Sequence, residues 1–167
     1  MNTKAVNMEI CKQIIQNHLV RIQHISNKLA LVIPDPGYYG YLIKKSDIAF
    51  SLEKTTTVDK KKPIIDMSIL NPKNELKITQ YLRIIDSKNN ARLFKSPETE
   101  VWVNTKFLKN LDIYRCRFYQ DRTKPTGLIL AVEDATEPVM CILPLRPFDD
   151  GHPYAFDENA KPLVQTK

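Results

Sequence analysis

Apolar and polar positions change period several times along the chain, and each change marks an element. Between Asn7 and Asn17, Met8, Cys11 and Ile15 fall on one stripe with Ile10 and Ile14 beside it. Glu9, Lys12 and Gln16 face elsewhere, so this spacing predicts an amphipathic helix. The period then drops to two. Residues 19–25, 29–33 and 38–43 read as three strands, separated by a Ser26-Asn27-Lys28 turn and by Pro34-Asp35-Pro36-Gly37. Ser46 to Leu52 reads as a further short strand and Thr55 to Pro63 as a polar, basic loop. Strand-like runs follow at 64–70, 76–85, 91–95 and 100–103, with Ser87 to Asn90 as a hairpin turn.

A second, short helix is expected after Asn104 or Thr105, either of which can accept from first-turn amides. Phe107, Leu108 and Leu111 form its apolar face, and Lys106, Lys109 and Asn110 its wet face. Strands are then expected over 113–120, 127–132 and 138–143. After Pro147 periodicity fades, and 147–167 reads as an extended or disordered tail.

Residues 7–43 and 104–143 share one order, a helix and then three strands, at an offset of roughly ninety-five to one hundred residues. The letters do not repeat; the pattern does. The expected class is therefore α+β: a mainly antiparallel sheet with two short helices, in a single domain over 1–146. Its units span about 5–52 and 64–146.

Composition narrows the function more by exclusion than by signal. Of 167 residues, 43% are hydrophobic and 26% charged, as in ordinary soluble domains. No apolar run approaches the roughly 18–20 residues of a membrane span, and the first residues lack a signal-peptide pattern, so a cytoplasmic protein is expected. Cys11, Cys116 and Cys141 are odd in number and widely spaced, which suggests reduced thiols. His18, His24 and His152 do not fall at metal-ligand spacing. With only four glycines there is no phosphate-cradling loop, and no nucleophile is partnered with a base. Neither an enzyme nor a cofactor nor a metal is expected.

The net charge of +6, from 25 basic and 19 acidic residues, favours polyanionic partners. Lys60, Lys61 and Lys62 are the densest basic cluster, read first as a solvated loop and second as a nucleic-acid contact. Tyr38, Tyr39 and Tyr41 surround Gly40, and alternation puts Tyr39 and Tyr41 on one face. They fit a base-stacking platform or cross-strand packing.

Residues 101–146 resemble the closing segment of a bacterial DNA sliding clamp, the polymerase processivity factor. The matching features are Asn104 before Phe107-Leu108 and Leu111, and the apolar run Ile142-Leu143-Pro144-Leu145-Arg146. The half-length repeat also looks like that family's domain, built from two helix-plus-strands units. The resemblance implies that Lys12, Lys106 and Lys109 face DNA phosphates, neutralising charge without reading bases. It also implies a partner-peptide pocket near Val139, Cys141, Leu143, Pro144 and Arg146. The same residues fit the wet faces of helices and a core strand with its exit turn. Clamp rings use six such domains, carried two or three to a chain, and this chain has room for one. Clamps are also acidic overall, and this chain is basic.

Two functions follow as expectations. In one, the chain is a clamp-like module that binds DNA and self-associates through sheet edges. In the other, it is a small phage or mobile-element effector that inhibits a host nucleic-acid-processing or defence complex by binding protein. No membrane partner is expected.

Overall fold

The computed structural model describes residues 1–58, 65–86, 89–124, 126–134 and 137–145. The expected tail, Lys60 to Lys62 and Arg146 lie outside the described residues.

Helix α1 spans Thr3–Ile15 and starts earlier than its stripe suggests, because the Asn2 side chain accepts from the Ala5 amide at 3.1 Å. Val6 and Ile10 point into the core and are fully buried. Strands β1 (Arg21–His24), β2 (Leu29–Ile33) and β3 (Tyr39–Lys44) follow as consecutive antiparallel neighbours. The turn before β3 needs a glycine, since Gly37 has φ of +89°.

The expected strand at Ser46–Leu52 is replaced by two 3-10 turns, Lys45–Asp47 and Leu52–Lys54. The cause lies on α1. Buried Asn7 donates to the Asp47 carbonyl at 2.8 Å and accepts from the Ala49 amide at 2.9 Å. Those backbone groups are thus satisfied by a side chain rather than by a ladder. Next, β4 (Thr56–Thr57) adds to β1 in parallel. The expected strand near 64–70 is instead a 3-10 turn, Met67–Ile69, capped by Asp66. Ile65 and Ile69 from this segment cover Leu31, Ile33, Leu42 and Cys141 on one sheet face.

The remaining strands are β5 (Glu75–Asp86), β6 (Asn89–Lys95), β7 (Glu100–Asn104), β8 (Cys116–Gln120), β9 (Ile129–Glu133) and β10 (Glu137–Ile142). Among the described residues, the ten strands form one sheet in the order β4-β1-β2-β3-β10-β9-β8-β5-β6-β7. The parallel β1–β4 pair makes it mixed.

These observations correct the expected class. The chain is mostly sheet, and α1 is its one α-helix among the described residues. Where a second helix was expected there is a four-residue 3-10 turn, Thr105–Leu108. Asn104 caps it by accepting from the Lys106 amide at 3.0 Å. It stops because the short polar side chains beyond it are engaged elsewhere: Asn110 reaches α1 and β3, and Asp112 accepts from the Tyr114 amide. The Asn110 carbonyl is likewise taken by the Asn2 amide.

Six central strands, β1-β2-β3-β10-β9-β8, read as two triplets joined through their third members. The registers correspond. Val32 opposes Tyr41 as Ala131 opposes Met140, and Tyr41 opposes Met140 at the junction. One triplet carries α1 and the other only the 105–108 turn. Both lie on the same side of the sheet, where Val6, Ile10, Phe107 and Leu108 join a core with Tyr41, Met140 and Ile142.

The sheet then bends about β5, whose first residues pair with β8 and later ones with β6. Phe94 of β6 and Phe118 of β8 meet edge-on at 4.8 Å, although their strands are not neighbours. Beyond β10 the chain continues to β7, where the Leu145 amide donates to the Trp102 carbonyl at 2.7 Å.

Candidate binding groove

A groove of about 490 Å³ lies between α1, the 34–37 turn and residues 105–110. Buried Tyr39 and Phe107 form its floor, stacked at 4.8 Å with 29° between the rings. Lys12, Lys106 and Lys109 line it, all exposed. Lys12 comes from α1 and the other two from the far end of the sequence. The structure therefore brings together the three lysines that the sequence pattern placed on two separate helices. Lys106 Nζ lies 5.5 Å from the Phe107 ring centroid, where the ring's negative face attracts it.

Glu9 sits at the centre of the groove. Its carboxylate accepts from the Tyr39 hydroxyl on Oε1, and from Tyr41 at 3.2 Å and Asn110 Nδ2 at 2.8 Å on Oε2. Lys109 Nζ pairs with the same Oε2 at 3.1 Å. Burial pushes the Glu9 carboxyl upward, but the hydrogen bonds from Tyr39, Lys109 and Asn110 and the Lys109 charge outweigh it. The carboxyl is therefore held below its ordinary value, and Glu9 stays ionised. Burial, with Glu9 adding to it, drives both phenols far above their ordinary range, so they remain donors.

The groove wall on the turn side is fixed by Gln13, which accepts from the Asp35 amide at 3.1 Å and donates to its carbonyl at 3.4 Å. Asp35 also lines the groove, making it the second acid there after Glu9.

Other expected site residues fall differently. Tyr39 and Tyr41 do share one face, with rings edge-on at 5.4 Å. Tyr41, however, is 0% exposed and its hydroxyl is spent inside the protein, which removes it from any base-stacking platform. Tyr38 is the exposed member of the group. Val139 sits at an irregularity in the β9–β10 register and lines a separate pocket of about 250 Å³ with Glu133, Asp134 and Glu137. Leu143 lies past the other end of β10, its amide bonded to the Tyr38 carbonyl. Val139 and Leu143 thus do not form one pocket. Lys60, Lys61, Lys62 and Arg146 lie outside the described residues.

Glu9 and Asn110 escaped the sequence pattern, which put both on wet faces. Asn110 is 9% exposed. Nothing local marks either residue, because their partners lie on other elements.

Two of the three thiols, Cys116 and Cys141, are poor nucleophiles. Burial raises Cys116 to about 11 and Cys141 to about 12, so both are protonated at neutral pH. Among the described residues, no group of three or more His, Cys, Asp or Glu is placed to hold a metal ion. Nor is any described helix long and apolar enough to cross a membrane. No family model, curated protein or solved structure matches this chain.

Proposed function

We propose that the chain is a non-enzymatic binding protein that takes the DNA backbone along the groove between α1 and residues 105–110. The observation that carries this reading is the convergence of Lys12, Lys106 and Lys109 on one groove from two distant parts of the chain. Their exposed ammonium groups suit phosphates, which are neutralised one by one without base contacts. The net charge of +6 adds long-range attraction. The reading keeps the charge-neutralising mode that the clamp resemblance implies and leaves out its ring. At the outer strands of the described sheet, β4 is two residues long and β7 is met by Leu145 at Trp102. The free thiols Cys11, Cys116 and Cys141 favour a reducing compartment, and we place the protein in the cytoplasm.

The test is fluorescence anisotropy with a labelled ~20-base-pair duplex, titrated between about 50 and 200 mM salt. Replacing Lys12 and Lys106 by Gln is expected to flatten the log–log salt slope by about 1.8, roughly 0.9 per lost phosphate contact. An unchanged slope and affinity would sink the groove reading. One observation favours a protein partner instead. Met8 and Ile15 of α1 and Leu19 just beyond it are exposed, Ile15 to 77%, with Met8 at the border of the groove. Tight capture of a protein by this face, lost in Ile15→Asp and indifferent to the lysines, would establish that second reading.

A further inference from the structure

Four donors converge on one carboxylate of the protein itself, three from groove-lining Tyr39, Lys109 and Asn110 and one from Tyr41 buried behind them. The Tyr39 and Tyr41 hydroxyls, the Asn110 amide and the Lys109 ammonium all reach Glu9. Two O–H groups, an N–H and a cation around one pair of oxygens make the donor set of an oxyanion site. All four belong to β3 and the 109–110 segment, while the carboxylate belongs to α1. The cradle is therefore built without Glu9, and Glu9 fills it.

We infer that the groove-lining part of this cradle, Tyr39, Lys109 and Asn110, is an anion subsite for a backbone phosphate, and that Glu9 is its built-in competitor. The inference rests on the groove reading above. Lys12 and Lys106 meet phosphates directly. Lys109 gains one only as it gives up Glu9, so the internal ion pair lowers the affinity of the whole groove. Asp35, the other acid lining the groove, is set by Gln13 on the opposite wall and is not part of the cradle. The arrangement keeps a non-specific binder weak enough to release.

The experiment compares wild type, Glu9→Gln and Glu9→Gln/Lys109→Gln in the same duplex titration. Glu9→Gln removes the charge and keeps one acceptor oxygen, with an NH2 group in place of the other. It is expected to tighten binding about fivefold to tenfold at ~0.1 M salt and to steepen the salt slope by about 0.9, one more phosphate. Adding Lys109→Gln should erase that gain. If the gain survives in the double variant, the effect is a general field effect and the competitor is overturned. If Glu9→Gln leaves binding unchanged or weaker while Lys12→Gln/Lys106→Gln reduces it, the competitor falls and the groove reading stands. If neither wild type nor Glu9→Gln binds the duplex, both fall. Should Glu9→Gln fail to fold, the wild-type Glu9 carboxyl carbon is followed by NMR as duplex is added. A shift on binding supports displacement, and a static resonance overturns it.

Discussion

The side-chain amide of Asn110 donates to the Glu9 carboxylate at 2.8 Å across 101 positions of sequence. The same nitrogen reaches the buried Tyr41 hydroxyl at 2.8 Å, so one amide ties the chain after the 105–108 turn to both α1 and β3. Asn110→Ala leaves a buried hydroxyl and a half-buried carboxylate short of a donor. The expected loss is about 1–3 kcal/mol of unfolding free energy. Urea denaturation measures it, and a loss within a few tenths would mean that water replaces the amide at no cost.

Glu9 should also make stability depend on pH in the acid range. Its carboxyl is held below the ordinary value of 4.5, so the folded protein binds this proton less readily than the unfolded chain. The resulting stabilisation is complete above about pH 4.5 and is lost as pH falls through the lower folded value. At neutral pH wild type should melt above Glu9→Gln, and the gap should close on acidification. Parallel melting curves between pH 7 and 3 check this; a gap independent of pH would assign the effect to packing and not to charge.

Much of the sheet is written locally. Leu29–Ile33 is legible to the residue, because a run of apolar side chains between a Ser-Asn-Lys turn and Pro34 admits little else. The strand expected over 138–143 is Glu137–Ile142, one residue off at each end. Two of the errors come where a side chain from afar decides the backbone. Asn7 on α1 claims the backbone of Asp47 and Ala49, so the alternation over 46–52 never becomes a strand. Asn110 leaves its own turn for Glu9 and Tyr41, so the apolar spacing of Phe107, Leu108 and Leu111 never completes a helix. The lysines of the groove are visible singly as wet positions. Their meeting depends on β3 pairing with β10, which no local pattern encodes.

The thiols should separate by burial when a disulfide reagent is added to native protein. Cys141 is buried on the sheet face covered by Ile65 and Ile69, and burial lifts its thiol to about 12. It should react only on the timescale of unfolding. Cys116 is half-buried, with burial and then Glu133 raising it to about 11, so it should also be slow at neutral pH. Counting thiols released with and without denaturant, with Cys141→Ala as control, tests this. Rapid labelling of Cys141 would mean that the segment around Ile65 and Ile69 opens readily from that face.

The contact between Leu145 and Trp102 makes the edge of β7 testable with the one tryptophan in the chain. Trp102 is nearly buried, in a small cluster with Ala91 and Leu93 against which Leu145 packs. The backbone bond at 2.7 Å holds Leu145 in place, and its side chain shields the cluster from water. Leu145→Ser keeps the bond and removes the cover. The tryptophan emission should shift to the red, with a cost of about 1–2 kcal/mol for the lost apolar packing. Leu145→Pro removes the amide donor itself and should shift the emission as far or further. If neither variant moves the emission, Trp102 is shielded by its own strand neighbours, and the chain beyond β10 does not guard the edge of β7.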